Sequence, residues 1–242
     1  MLKIPLLLSV LFSLVCMNAA SQEARVHSGP PATIAEKLHE HGIASDNDSL
    51  VGALRSSDPE VRRLAAAELG EKGDKRALRY LLAALRGERQ LETKVDVALS
   101  VARLGDDVGS AELRSTCDSK SIDAELRLRA AGYLQGFLGD DHCYGTIEHL
   151  VASAPNPDSR IHALDLLTSL TNMRPREGLQ TRKIVIAALG DKEVTVRIAA
   201  SGDLVQIGKK GDASFLERAI GTEQDPNVRA SMETDLDTLR AK

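Results

Sequence analysis

Asp58-Pro59-Glu60-Val61-Arg62-Arg63-Leu64-Ala65-Ala66-Ala67-Glu68-Leu69-Gly70-Glu71-Lys72-Gly73 decides the fold, because it spells a helix together with its start and its stop. Asp58 is a favoured N-cap residue, since its carboxylate accepts hydrogen bonds from the free amides of the first turn. Pro59 follows at the first helical position, where no N–H is needed. Val61, Ala65 and Leu69 recur every fourth residue and so share one face. Gly70 and Gly73 are expected to end the helix, as glycine does at little conformational cost.

The rest of the chain repeats this stretch. Aligned on Val61, its equivalents are Asp96, Leu126, Ser159, Val196 and Val228, at steps of 35, 30, 33, 37 and 32 residues. Eight positions on, every segment has leucine: Leu69, Leu104, Leu134, Leu167, Leu204 and Leu236. Four positions on lie Ala65, Ser100, Ala130, Ala163, Ala200 and Met232. Three positions before lie Asp58, Thr93, Asp123, Asn156, Glu193 and Asp225, mostly N-cap types. One position after lie Arg62, Val97, Arg127, Arg160, Arg197 and Arg229. An apolar helix precedes each segment, at 50–54, 78–85, 111–117, 144–151, 184–189 and 215–220. A helix pair cannot bury its stripe alone, so neighbouring pairs must stack. The chain is therefore read as all-α: a right-handed α-α superhelix, or solenoid, of about six helix pairs. The small Ala65 column lets helices approach closely, and the leucine column fills the layer behind.

Asp58-Pro59-Glu60-Val61-Arg62, Asn156-Pro157-Asp158-Ser159-Arg160 and Asp225-Pro226-Asn227-Val228-Arg229, each followed by its alanine and leucine positions, resemble HEAT repeats. The likeness is to the short bacterial type related to the phycobilisome lyases, and it covers residues 48–242. The second segment departs most, with Thr93, Asp96 and Val97. The resemblance implies an inter-repeat ladder in which each arginine bonds acidic or carbonyl groups of its neighbours, beside the Asp column. Its members would be Asp58, Arg62, Asp123, Arg127, Asn156, Arg160, Arg197, Asp225 and Arg229.

The domain reading is a leader at 1–20, a flexible linker at 21–32 and the solenoid at 33–242. Lys3 begins a positive n-region, 4–15 is apolar, and Asn18-Ala19-Ala20 precedes a cleavage point at Ser21. The apolar run is shorter than the ~20 residues that span a bilayer. A lipoprotein, with Cys16 lipidated, and a retained anchor are the alternatives. The expected localisation is export, to the periplasm of a bacterium or beyond. The 242-residue chain has 31 Lys+Arg and 35 Asp+Glu, a net charge of −4. Losing Lys3 leaves 30 against 35, or −5, which weighs against nucleic acid or an anionic membrane as the main partner. Aromatics make up only 2%, which suits many small, closely packed helices. Cys117 and Cys143 remain in the mature chain. An oxidising compartment favours pairing them. The helix between them, roughly 20 Å long, argues against a bridge, whose Cα atoms must lie within about 7 Å. The pairing stays open.

No cofactor, metal or catalytic motif stands out. His142 and His149 are two helical turns apart, ~10 Å, too far for one ion. His39 and His41 point to different sides. Deoxyhypusine hydroxylases, enzymes built on HEAT-like repeats, bind iron through several His-Glu pairs. Here only His39-Glu40 matches, and Glu148-His149 is reversed. The segment 171–181, with Arg174-Pro175-Arg176, reads as a basic surface loop or a docking loop. Helical angle places an exposed ridge on the second helices, expected to line the concave face: Glu68, Arg103, Arg129, Tyr133, His162, Asp165 and Asp203. Two functions follow. One is a non-catalytic scaffold whose groove binds a protein or peptide. The other is an accessory enzyme, an oxidoreductase or lyase-like factor, using His162 and Asp165.

Overall fold

The computed structural model describes residues 32–173 and 178–242. The leader, the linker up to residue 31 and the 174–177 segment lie outside them. Within the compact unit Ile34–Lys242, a short α1 (Ile34–Glu40) precedes six helix pairs. These are α2 (Asn47–Ala53) with α3 (Pro59–Lys72), α4 (Leu78–Gly87) with α5 (Leu91–Arg103), and α6 (Asp107–Asp118) with α7 (Ala124–Leu138). Then come α8 (Tyr144–Ser153) with α9 (Pro157–Met173), α10 (Gly178–Ala188) with α11 (Val194–Ile207), and α12 (Ala213–Thr222) with α13 (Pro226–Arg240). The described residues contain no strand.

The local signals act largely as expected. Asp58, Asp123 and Asp225 accept from the amides of Glu60, Leu126 and Asn227, and Asn156 accepts from Asp158. Thr93 is the exception: it lies buried inside α5, whose N-cap is Gln90. Gly73 ends α3 with φ of 68°. Gly70 does not end it. It sits within α3 against α5, where an added Cβ would come within 3.0 Å of Ser100 Cα. Ser100 belongs to the small column, so two small residues set this close approach. The 171–181 segment is less loop-like than expected, because α9 runs on to Met173 and α10 begins at Gly178.

All three columns point inward. The six leucines are between 0% and 7% exposed, and the alanine column, Met232 included, is between 0% and 2%. The Val61 column is buried too, even where it carries Asp96 and Ser159. Each fully buried leucine contributes about 1.5–3 kcal/mol from apolar burial. Successive second helices pack on one another from α3 through α13, whereas most successive first helices barely touch. The layer whose members sit closer together lies on the inside of the curve. The second helices therefore form the inner face.

The arginine column holds the pairs in register by bonding acids of the neighbouring pair, as the resemblance implies, but those acids are not the Asp58 column. Arg62 Nε and its terminal nitrogen meet Glu88 at 2.7 and 2.9 Å. Arg160 meets Asp191 at 3.0 Å through both nitrogens, and Arg197 meets Glu223 at 2.7 and 2.9 Å. Each also donates to two carbonyls of its own pair's turn: Ser56 and Ser57, Ala154 and Pro155, Asp191 and Lys192. The acid always comes from the turn of the following pair. Asp58, Asp123, Asn156 and Asp225 are occupied with capping their own helices and do not join the ladder. Arg229 donates to the Glu223 carbonyl.

Two joints lack this clamp. Between the second and third pairs Val97 replaces the arginine, and buried Asp96 accepts instead from the Tyr133 hydroxyl at 2.6 Å. Between the third and fourth, Ala154 stands where the acid would be, so Arg127 is left with the Cys117 carbonyl at 2.9 Å. Here the cysteines do pair. Cys117 and Cys143 form a disulfide with Cα atoms 6.2 Å apart. The opposing expectation took the length of the intervening helix, α7, as the distance between the cysteines. Instead the Gly139–His142 loop, turning at Gly139 with φ of 68°, sets the start of α8 against the last turn of α6. Arg114 meets Asp140 at 2.6 Å and His142 meets Asp118 at 2.8 Å along the same seam.

Candidate functional site

At the C-terminal ends of α5 and α7, Arg103 and Phe137 meet in a cluster with Tyr133. Phe137 is 60% exposed, the largest such value among exposed aromatic side chains of the described residues. It packs edge-on against Tyr133, ring centroids 5.9 Å apart, and the Arg103 guanidinium stands 5.7 Å from its ring centre. Arg103 also reaches Glu71 at 3.7 Å. Beneath lies Asp96, bonded by Tyr133, with Arg63 Nε 3.8 Å away. Burial raises the Asp96 carboxyl, while the Tyr133 bond and nearby Arg129 pull it back. Burial and then the bond to Asp96 push the Tyr133 hydroxyl up, so it stays a donor. Tyr133 is thus a fixed post against which the exposed Phe137 ring packs.

Farther along, α7, α9 and α11 bring acids together. His162 Nδ1 lies 2.5 Å from Glu125, which also accepts from Ser159 at 3.3 Å. Asp165 is exposed on α9, and partial burial raises it despite His162. Across the seam Asp203 is only 3% exposed. Its carboxyl is raised to about 6, by burial first and by Asp165 second. The Thr168 hydroxyl, buried beside it, pulls the carboxyl partly back. On α11 and α13, Ser201 donates to Asp235 at 2.5 Å.

The ridge expected from helical angle is thus only partly a ridge. Arg103 and Asp165 face the groove, and His162 and Arg129 are half-buried. Glu68 lies flat against Lys72 at 3.6 Å. Asp203 is not exposed at all, because α11 is flanked closely by both α9 and α13. Phe137, Arg63, Asp96 and Glu125 escaped the sequence reading. Phe137 had a signal: it follows Tyr133 by one turn of the same helix. Asp96 had one too, as a charge in an apolar column. Among the described residues, the grouping compact enough for an ion is Cys117, Asp118 and Cys143, within 4.8 Å, and the disulfide occupies both sulfurs. No described helix is long and apolar enough to cross a membrane.

The family model for HEAT repeats matches residues 47–135 and 146–236. The chain is a HEAT-repeat protein. A search of curated proteins finds no match. Among solved structures, this HEAT-repeat chain is similar to human deoxyhypusine hydroxylase in complex with glycerol, at 20% identity and a TM-score of 0.42. That alignment covers 86% of this chain and 80% of that one. It is also similar to the complex of CpcE and CpcF of phycocyanin lyase from Nostoc sp. PCC7120, at 17% identity and a TM-score of 0.41. That alignment covers 91% of this chain and 100% of that one.

Proposed function

We propose that this HEAT-repeat protein is an exported, non-catalytic scaffold that holds a protein or peptide on its inner face. The observation that supports the reading is Phe137. A phenyl ring three-fifths exposed, in a chain with 2% aromatics, is apolar surface that a partner would take out of water. Tyr133 and Arg103 fix it in place. A rigid aromatic flanked by arginine is the usual composition of a binding hot spot. The export half of the reading rests on residues 1–20 alone, and a mature chain beginning at Ser21 by mass spectrometry would support it.

The test places a photo-crosslinking amino acid at position 137, and at Arg218 on α12 as the outer-layer control, in cells that make the full chain. A single dominant adduct from 137 and none from 218 is expected. No adduct from 137 would overturn the reading. A catalytic reading keeps one observation in its favour, the Asp203 carboxyl raised to about 6 beside Asp165. In that case Asp203→Asn would abolish a turnover without weakening partner capture.

A further inference from the structure

The first two helix pairs carry a charge asymmetry unlike the rest. Lys75, Arg76, Arg79, Arg86 and Arg89 follow within fifteen residues with one acid, Glu88, among them. The whole chain is at −4. Of those cations, Arg89 lines a cleft of about 490 Å³ between the turns of the first and second pairs, where it joins Arg55 and Arg62. Its apolar surface comes from Val51, Leu54, Ala83 and Ala84. The cleft has a local cause. Helix α5 starts five residues before its column residue Asp96, whereas α3 starts two before Val61. Three extra residues are about 4.5 Å of helix, enough to lift the 88–90 turn and open a wedge beside α2.

Three guanidiniums line this wedge: Arg55, Arg62 and Arg89. Arg62 is spent on Glu88. That carboxylate also accepts from the amides of Arg89 and Gln90. Arg55 and Arg89 are exposed, and neither side chain is engaged by another described residue. Tyr80 forms an aromatic wall, its hydroxyl held by Arg79 at 2.6 Å. The balance inside the cleft is three cations to one anion, with the two unused cations at the rim.

We propose that this cleft docks an acidic segment of a protein partner, with an apolar side chain on the floor and carboxylates on Arg55 and Arg89. Guanidinium and carboxylate meet as matching forks, which gives direction as well as attraction. An apolar floor offers a polyphosphate backbone nothing, and the chain's net negative charge repels a polyanion from a distance. The cleft lies at the turns, away from the inner face, so it stands independently of the scaffold reading.

The test pans a phage library of random heptapeptides on the full chain and on the R55E/R89E variant, both checked as folded by circular dichroism. Peptides with Asp or Glu flanking Leu, Ile or Val are expected on the wild type, enriched about tenfold or more over the variant. A synthetic copy of the best peptide should lose about tenfold in affinity when its acids become Gln, and should weaken in about 0.5 M salt. Enrichment without acidic bias, equal enrichment on both chains, or none would overturn the proposal. So would loss of enrichment on F137S, which would move the peptide to the inner face. Binding to phosphatidylglycerol vesicles that R55E/R89E abolishes, with no peptide enriched, would reassign the patch to a lipid surface.

Discussion

Arg160 of the fourth pair lies fork to fork on Asp191 of the fifth, with both contacts at 3.0 Å and only 3% of its side chain exposed. The same guanidinium also holds the Ala154 and Pro155 carbonyls. One side chain therefore closes its own turn and bolts the next pair to it. That double duty explains why an arginine recurs at this column and why it is unavailable to a ligand.

Arg160→Met should therefore be severe. It strands a carboxylate and two carbonyls, and breaking such a pair costs about 3–5 kcal/mol. Arg62→Met should cost less, because that side chain is 17% exposed and water can replace part of what is lost. Urea denaturation of the two variants checks the order. Equal costs would contradict it.

Reducing the disulfide should remove about 3 kcal/mol, from the loop-closure entropy of 26 residues. The double variant C117S/C143S should match the reduced wild type and be indifferent to dithiothreitol. Thermal melts with and without reductant measure both. Unchanged melting on reduction would show that the bridge does not bear on stability.

Leu134→Ala should cost roughly 2–5 kcal/mol, because Leu134 is fully buried and the helices around it cannot close the gap. A shift under about 0.5 kcal/mol in chemical denaturation would contradict its place in the core.

Gly109→Ala should be at least as damaging as many core deletions. A Cβ there would lie 2.5 Å from the Ala102 amide nitrogen and closer still to the Ala98 carbonyl oxygen. Both belong to the backbone of α5 and cannot rotate away. Helix α6 would have to lift off, at a cost of about 1–3 kcal/mol or more. Circular dichroism melts read it directly.

Stability should pass through a maximum on the acid side of neutrality. The Asp203 carboxyl is raised from 3.8 to about 6 by folding. The unfolded chain therefore loses that proton first, and stability falls as pH rises from about 4 to 6. Glu223 is the opposite case, held at about 2 rather than 4.5, chiefly by its bond to Arg197. Its contribution is whole above about 4.5 and is lost as pH falls toward 2. Asp96 and Asp165 are raised and act with Asp203. Asp203→Asn should stabilise the chain at pH 7 by up to about 3 kcal/mol and flatten the slope between pH 6 and 4. Denaturation series across pH show whether it does.

The fold was legible because its signals are short-range. A cap, a proline, a fourfold spacing and a terminal glycine all act within one helix, and Asp58 and Gly73 behave as written. The small and leucine columns carried the stacking as well, since burial depends on side-chain size and period. What stayed hidden depends on where one pair sits against the next. Glu88, Asp191 and Glu223 are unremarkable in sequence, and only the turn of the neighbouring pair makes them partners of the arginines. The cysteine bridge stayed open for the same reason, because the helix between the cysteines suggested a distance that the Gly139 turn undoes. Asp203 shows the limit of helical angle as a guide. The angle puts it on the ridge, but the closeness of two flanking helices buries it.

The joint between the third and fourth pairs also limits how the array can be altered. The fifth pair could be duplicated, because it carries both halves of a reusable connector, Asp191 and Arg197. The third and fourth cannot be parted, since either alone would keep an orphaned thiol and a mismatched end. An array lengthened by design would have to grow outside this welded centre.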